Sequence, residues 1–208
     1  MAENNIEFRP IEKADYKYLE EIIKDTWGYE RFCTPKTAKK LSRVFLASCL
    51  TNQTFTLVAL NNQVPVGVIL GKNEKKHRSK LKYQLRLITS VVGMILSKEG
   101  RQTAGVYKNI DKIDKELLAG SGTEFDGELA FFAVRSDQRG NGVGKVLFEK
   151  FKAYMQGEKT KNFYLFTDTT CNYGFYEAMG LKRLGEKKFS LKPQWKEDIM
   201  FFIYGCEF

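Results

Sequence analysis

The sequence predicts a mixed α/β fold, and three observations carry that prediction. Short strand patterns and amphipathic helix patterns interleave along the whole chain. A glycine-rich loop, Arg139 to Lys145, joins an apolar strand to a helix. Two further strand patterns are separated only by Asn61, Asn62 and Gln63, a hairpin signal. At 208 residues the chain is the size of a single domain, 1–208, with enough length for a substantial core.

The elements follow in order. Residues 6–8 form a short strand. Residues 12–27 are helical, with Asp15 placed as an early acidic or capping residue. Residues 36–50 are a second helix, preceded by Pro35, with Leu41, Val44, Phe45, Ala47 and Ser48 along one side. Strands at 54–60 and 64–70 make the hairpin. Glu128 to Val134 is apolar, aromatic and β-branched, as in a buried strand. The helix after the glycine loop places its apolar residues at 146, 147, 151, 154 and 155 on one face. A strand at 162–167, a short helix around Tyr176, and strands near 184–191 and 199–206 complete the chain.

Residues 71–127 stand apart as an insertion before the fourth strand. Leu81, Leu85, Ile88, Val92 and Ile95 recur at helical spacing, with Leu87, Val91 and Met94 widening the stripe, and a second helix is expected over 106–118 before Gly120 and Gly122. The expected arrangement is a helical hairpin packed on the sheet, which could also wall a substrate pocket because it leads into the Glu128 strand. Between residues 71 and 119 there are 12 Lys/Arg and 5 Asp/Glu, a formal +7 of the chain's +9. Such a basic face could attract RNA, an anionic substrate or a membrane surface, but a solvated face is the ordinary reading and no RNA-binding motif accompanies it. The longest mostly apolar run, 85–96, contains Arg86 and is too short to span a bilayer. No secretory leader pattern is present, and the cysteines at 33, 49, 171 and 206 have no paired metal-ligand spacing; free thiols in the cytoplasm are expected.

A strand, a glycine loop and a helix form an anion-binding device, since the first helical turn leaves its N–H groups unpaired. A P-loop would need Gly where Arg139 stands, and Ser or Thr where Val146 stands. A dinucleotide fingerprint needs G-x-G-x-x-G, whereas Gly140, Gly142 and Gly144 are spaced G-x-G-x-G. Arg139, Gly142 and Gly144 do satisfy Gln/Arg-x-x-Gly-x-Gly/Ala, the pyrophosphate loop of acetyl-CoA-dependent N-acetyltransferases. Downstream, the strand at 162–167 is followed by Tyr176, Gly180 and Leu181 in the spacing of that family's next motif. With both motifs in order, the chain resembles the GNAT superfamily (Gcn5-related N-acetyltransferases) over nearly its whole length, the exception being 71–127.

The resemblance implies the GNAT acyl-CoA N-acyltransferase fold, an α/β (α+β mixed-sheet) architecture with a helical insertion before the fourth strand. It implies acetyl-CoA as acyl donor, with no metal. Backbone groups of Arg139, Gly140, Asn141, Gly142, Val143, Gly144 and Lys145 would hold the pyrophosphate, and Phe132, Ala133 and Val134 would pair with the pantetheine arm along a strand splayed from its neighbour. Tyr176 matches the tyrosine that protonates the leaving thiolate. Glu128 sits where the histone-acetylating branch carries its glutamate base, with Glu124 and Asp126 as fallbacks and no role for His77. Asn172 would either bond CoA or cap the Tyr176 helix; family sequences more often carry a small apolar residue there. By the same analogy Trp27, Tyr29, Phe32 and residues 192–198 would line the acceptor pocket.

The function so implied is direct transfer of acetyl from CoA to an amine of a small molecule or peptide whose identity the sequence does not give. The alternative is a CoA-binding regulatory or interaction module without catalysis, and a third is an RNA-acylating enzyme. A nucleic-acid partner is not expected, no membrane span is expected, and a homodimer stays open.

Overall fold

The computed structural model describes residues 6–31, 33–190 and 198–208. The chain runs β1 (Ile6–Arg9), α1 (Tyr16–Trp27), α2 (Pro35–Thr51), β2 (Phe55–Asn61), β3 (Val64–Asn73), α3 (Leu81–Ile95), α4 (Lys98–Gly120), β4 (Gly127–Val134), α5 (Val143–Gly157), β5 (Asn162–Asp168), α6 (Gly174–Ala178), β6 (Lys182–Ser190) and β7 (Asp198–Glu207). The first predicted helix begins with a 3₁₀ turn, Lys13–Asp15, in which the Asp15 carboxylate accepts the Glu12 N–H at 2.7 Å. The second begins where Thr34 accepts the Thr37 N–H and Pro35 occupies the first turn. The helix expected at 106–118 is the C-terminal half of α4, which starts at Lys98 under a Ser97 cap.

The strands form one seven-stranded sheet in the order β1-β2-β3-β4-β5-β7-β6. All pairings are antiparallel except β4 with β5. Strand alternation divides the core between the two faces. On one face Val58, Leu60, Val68 and Leu70 meet Leu19, Ile23, Leu41 and Leu46 of α1 and α2. On the other, Ala59, Val66 and Ile69 meet Leu147, Phe148 and Phe151 of α5. Helix α4 covers the far half of the first face, setting Ile113 and Leu117 against Tyr164, Phe201 and Ile203.

Two features of β4 set the geometry at the centre of the sheet. Its register against β3 skips Ala130, since Leu70 pairs with Phe131 and Gly71 with Leu129. This bulge reverses the alternation, so that Phe131 joins the α1/α2 core while Leu129 and Phe132 pack on the α5 side. Second, β4 pairs with β5 only at Gly127–Phe163 and Glu128–Tyr164, after which the strands diverge. From Leu129 to Val134 the edge facing β5 has no strand partner among the described residues.

The insertion departs from the expected hairpin on the sheet. Helix α4 packs against β6 and β7, whereas α3 packs mainly on α2 and α4. The predicted stripe of α3 is turned outward: Leu81, Leu85, Ile88, Val92 and Ile95 are between 39 and 68 % exposed, while Met94 and Tyr83 face the core. Periodicity identifies an apolar face, but it does not say what that face meets.

Candidate active site

The gap between β4 and β5 opens a cavity of about 770 Å³. One end of it is the glycine loop. Gly140 and Gly142 have φ of +82° and +79°, a region costly for residues with a Cβ, and a Cβ at either would meet no atom within 4 Å. The glycines are therefore needed for the backbone path, and the space above them is open. Gly142 is the N-cap of α5 and, being glycine, offers the helix no side-chain cap. The N–H groups of its first turn are thus left to a ligand, at the positive end of the helix dipole. Arg139 is held beside them by its Nε, which donates to the Val134 carbonyl at 3.0 Å. Pyrophosphate and pantetheine fit this arrangement: free N–H donors at the loop, then a free strand edge leading inward.

Of the residues predicted for cofactor binding, Phe132, Ala133, Val134, Arg139, Gly140, Gly142, Gly144, Lys145 and Asn172 all line this cavity. Val143 instead packs its side chain in the core, so it can contribute only through backbone, and Asn141 is exposed outside the cavity lining. Asn172 lies on the cavity wall just before Tyr173, the N-cap of α6, and its backbone carbonyl accepts the Phe175 N–H at 3.2 Å.

Tyr176 and Glu128 line the same cavity. Tyr176 is 9 % exposed, ringed by Phe132, Phe148, Phe175 and Tyr204, and its hydroxyl has no hydrogen-bond partner among the described residues. Burial raises its pKa, so the phenol is fully protonated at neutral pH. Glu128 projects to the α2 side, where Asn52 Nδ2 donates to its carboxylate at 2.9 Å and Lys72 Nζ lies at 3.6 Å. The nearby Tyr164 hydroxyl adds a smaller stabilisation of the ionised form of Glu128. Burial raises the Glu128 carboxyl above the ordinary range despite the opposing effects of Lys72 and Asn52. A carboxylate raised in this way is a better proton acceptor near neutrality.

The opposite end of the cavity lies between α2 and α4. Trp27, Phe45 and Asn52 form one wall, and Ile110, Asp114 and Leu118 of the insertion form the other. Tyr29 is buried away from it, hydroxyl-bonded to Tyr107. Phe32 and residues 192–197 lie outside the described residues. Asp126 is bound to Lys75 and the Lys161 N–H, Glu124 is exposed, and His77 Nε2 contacts the Thr51 carbonyl at 2.8 Å; none of the three lines the cavity.

Sequence reasoning missed Asn52, Tyr164 and Asp114, which carry no local signal and meet Glu128's neighbourhood only through the fold. Asp114 Oδ1 is buried with no hydrogen-bond partner among the described residues. Burial first, then Asp111, Glu128 and Asp168, push its carboxyl up to about 7. The folded-state value is raised, so Asp114 costs nothing below about pH 4 and destabilises the fold increasingly as pH rises through 7. Asp114→Asn should therefore raise stability by about 2 kcal/mol at pH 8 and leave it nearly unchanged at pH 4. Thermal melts of both proteins at the two pH values check this; equal gains at both would remove ionisation as the cause.

The cavity also contains Cys49 and Cys171. Burial raises both thiols, Cys171 to about 12, which disfavours the reactive thiolate form at neutral pH.

A strand edge freed beside a glycine loop at a helix N-terminus thus shares one cavity with a buried phenol and a raised carboxyl. Residues 16–181 match the acetyltransferase (GNAT) family, and the chain belongs to that family. Its fold is shared by an N-acetyltransferase from Staphylococcus aureus Mu50 (12 % identity, 98 % of each chain covered, TM-score 0.57) and a ribosomal-protein-alanine N-acetyltransferase from Brucella melitensis (14 %, 97 % of this chain and 99 % of that one, TM-score 0.57). It is shared too by the PaiA N-acetyltransferase from Thermoplasma acidophilum in complex with coenzyme A (14 %, 98 % and 99 %, TM-score 0.50). No curated protein matches the sequence significantly.

Proposed function

We propose that the protein is an acetyl-CoA-dependent N-acetyltransferase that passes the acetyl group directly to an amine, acting in the cytoplasm. The observation that carries this reading is the single cavity in which the helix N-terminus, the unpaired β4 edge, Glu128 and Tyr176 meet. Acetyl-CoA supplies the thioester. The first-turn N–H groups of α5 and the positive charge of Arg139 and Lys145 hold the pyrophosphate, and the backbone of Phe132 to Val134 aligns the arm. Glu128, directly or through water, takes the proton from the acceptor ammonium and so frees its lone pair. Unpaired N–H groups of β4 stabilise the charge that grows on the carbonyl oxygen. The Tyr176 hydroxyl donates its proton to the departing sulfur. A phenol is a weak acid for this task, which is why the contact must be short and dry.

Acidic groups of the acceptor wall, Glu128 and Asp114, favour a cationic amine. A peptide N-terminus or a small amine meets that requirement, and the alanine acetyltransferases among the fold relatives make a peptide a natural first choice for assay. Calorimetry with acetyl-CoA should give saturable binding, and free thiol should appear only when an amine is present. Binding without thiol release across a panel of peptides and small amines would reduce the protein to a CoA-binding module.

A further inference from the structure

The apolar face of α3 is a second surface, unconnected with the cavity. Leu81, Leu85, Ile88, Val92 and Ile95, with Leu96 just beyond, make a continuous aliphatic ridge about 20 Å long, each residue between 39 and 76 % exposed. They account for six of the ten large hydrophobic residues exposed among the described residues, which is a concentrated patch rather than ordinary scatter.

Charge surrounds the ridge. Residues 75–101 hold eight Lys/Arg and one acidic residue, Glu99. Glu99 is itself occupied by the hydroxyls of Thr34 and Thr37. At the two ends of α3, Arg78, Lys80, Lys82 and Lys98 make no ion pair among the described residues. Along one flank, the polar side of α3 (Thr89, Ser90, Gly93) borders a cleft of about 860 Å³ that Lys13, Lys17 and Lys40 also line. Those three lysines have no carboxylate partner among the described residues, whereas the cleft's Arg9, Arg43 and Arg86 are taken up by Asp15 and Glu20.

We infer that α3 docks the protein on an anionic lipid bilayer, with the aliphatic ridge entering the acyl boundary and the flanking lysines meeting headgroup phosphates. This is the geometry of an interfacial amphipathic helix, lying in the membrane plane with cations beside its apolar face. No helix of the described residues is long and apolar enough to cross a membrane, so the contact is peripheral. A second copy suits the surface less well, because pairing across α3 would bring two segments of formal +7 together. A specific protein partner would be expected to find aromatic or arginine anchors, and the ridge has only Leu, Ile and Val. RNA would gain nothing from the ridge.

Cosedimentation of the full chain with vesicles tests the inference. The protein should bind phosphatidylcholine vesicles containing about 30 % phosphatidylglycerol, and at least ~10-fold more weakly when that lipid is omitted or salt is raised. Ile88→Glu and Val92→Glu should each lower binding ~10-fold or more, with circular dichroism unchanged. The uncharged double variant Leu81→Ser/Leu85→Ser should do the same. The triple variant Lys13→Glu/Lys17→Glu/Lys40→Glu should weaken binding to the anionic vesicles alone. Failure to bind anionic vesicles, or undiminished binding by Ile88→Glu, overturns the inference. So does a concentration-dependent dimer that Ile88→Glu dissociates in the absence of lipid binding, which would assign the ridge to a second copy.

Discussion

Tyr176→Phe is expected to lower kcat about 10²- to 10³-fold while acetyl-CoA binds as before. The expectation rests on how the residue is held. The ring is fixed by four aromatic neighbours, and the hydroxyl bonds to none of the described residues. Removing one oxygen therefore leaves the packing of α6 intact and takes away only a proton donor. In steady state the loss should fall on kcat, with little change in the apparent affinity for acetyl-CoA, because the donor matters when negative charge reaches sulfur. A substrate with a more acidic thiol as leaving group should recover part of the loss. Turnover equal to that of the parent protein would remove Tyr176 from the chemistry and return it to the core.

Glu128→Gln should produce a loss that depends on pH. At pH 7 the expected reduction in kcat/KM is about 10²-fold. The variant has no base, so its rate should follow the fraction of amine already neutral, which rises ~10-fold per pH unit below the amine pKa. The parent protein, whose base is a raised carboxyl, should instead level off once Glu128 is ionised. The two profiles should converge near pH 9–10, where a typical amine no longer needs help. Gln keeps an oxygen for the Asn52 amide and forgoes the attraction of Lys72, so a small stability change is also expected. A reduction constant across pH would mean that Glu128 positions its neighbours and does not move a proton.

What is legible in the sequence is local or periodic. The glycine loop, the Tyr176 helix and the order of strands are written in adjacent residues, where turn geometry and alternation leave few options. Much of the candidate site is legible for the same reason, since Phe132, Arg139 and Tyr176 each lie within one element or its junction. Long-range juxtaposition is not. Asn52 at the end of α2 and Lys72 on β3 reach Glu128 across 76 and 56 residues, and nothing near either predicts it. The bulge at Ala130 is likewise silent in a run of apolar residues. The stripe on α3 is legible as a face but not as an outward one, because a hydrophobic period is the same whether a sheet, a membrane or nothing covers it.

The divergence of β4 from β5 has a consequence for the order of events. Because the two strands touch only at their first residues, the sheet is perforated. Glycine-loop and Tyr176 residues line one side of the hole, and Trp27, Asn52 and Asp114 line the other. In the reaction proposed above, the donor would arrive from one side and the acceptor from the opposite side, each through its own doorway. A compound joining an amine to the sulfur of coenzyme A would thread the sheet like a bolt through a plate.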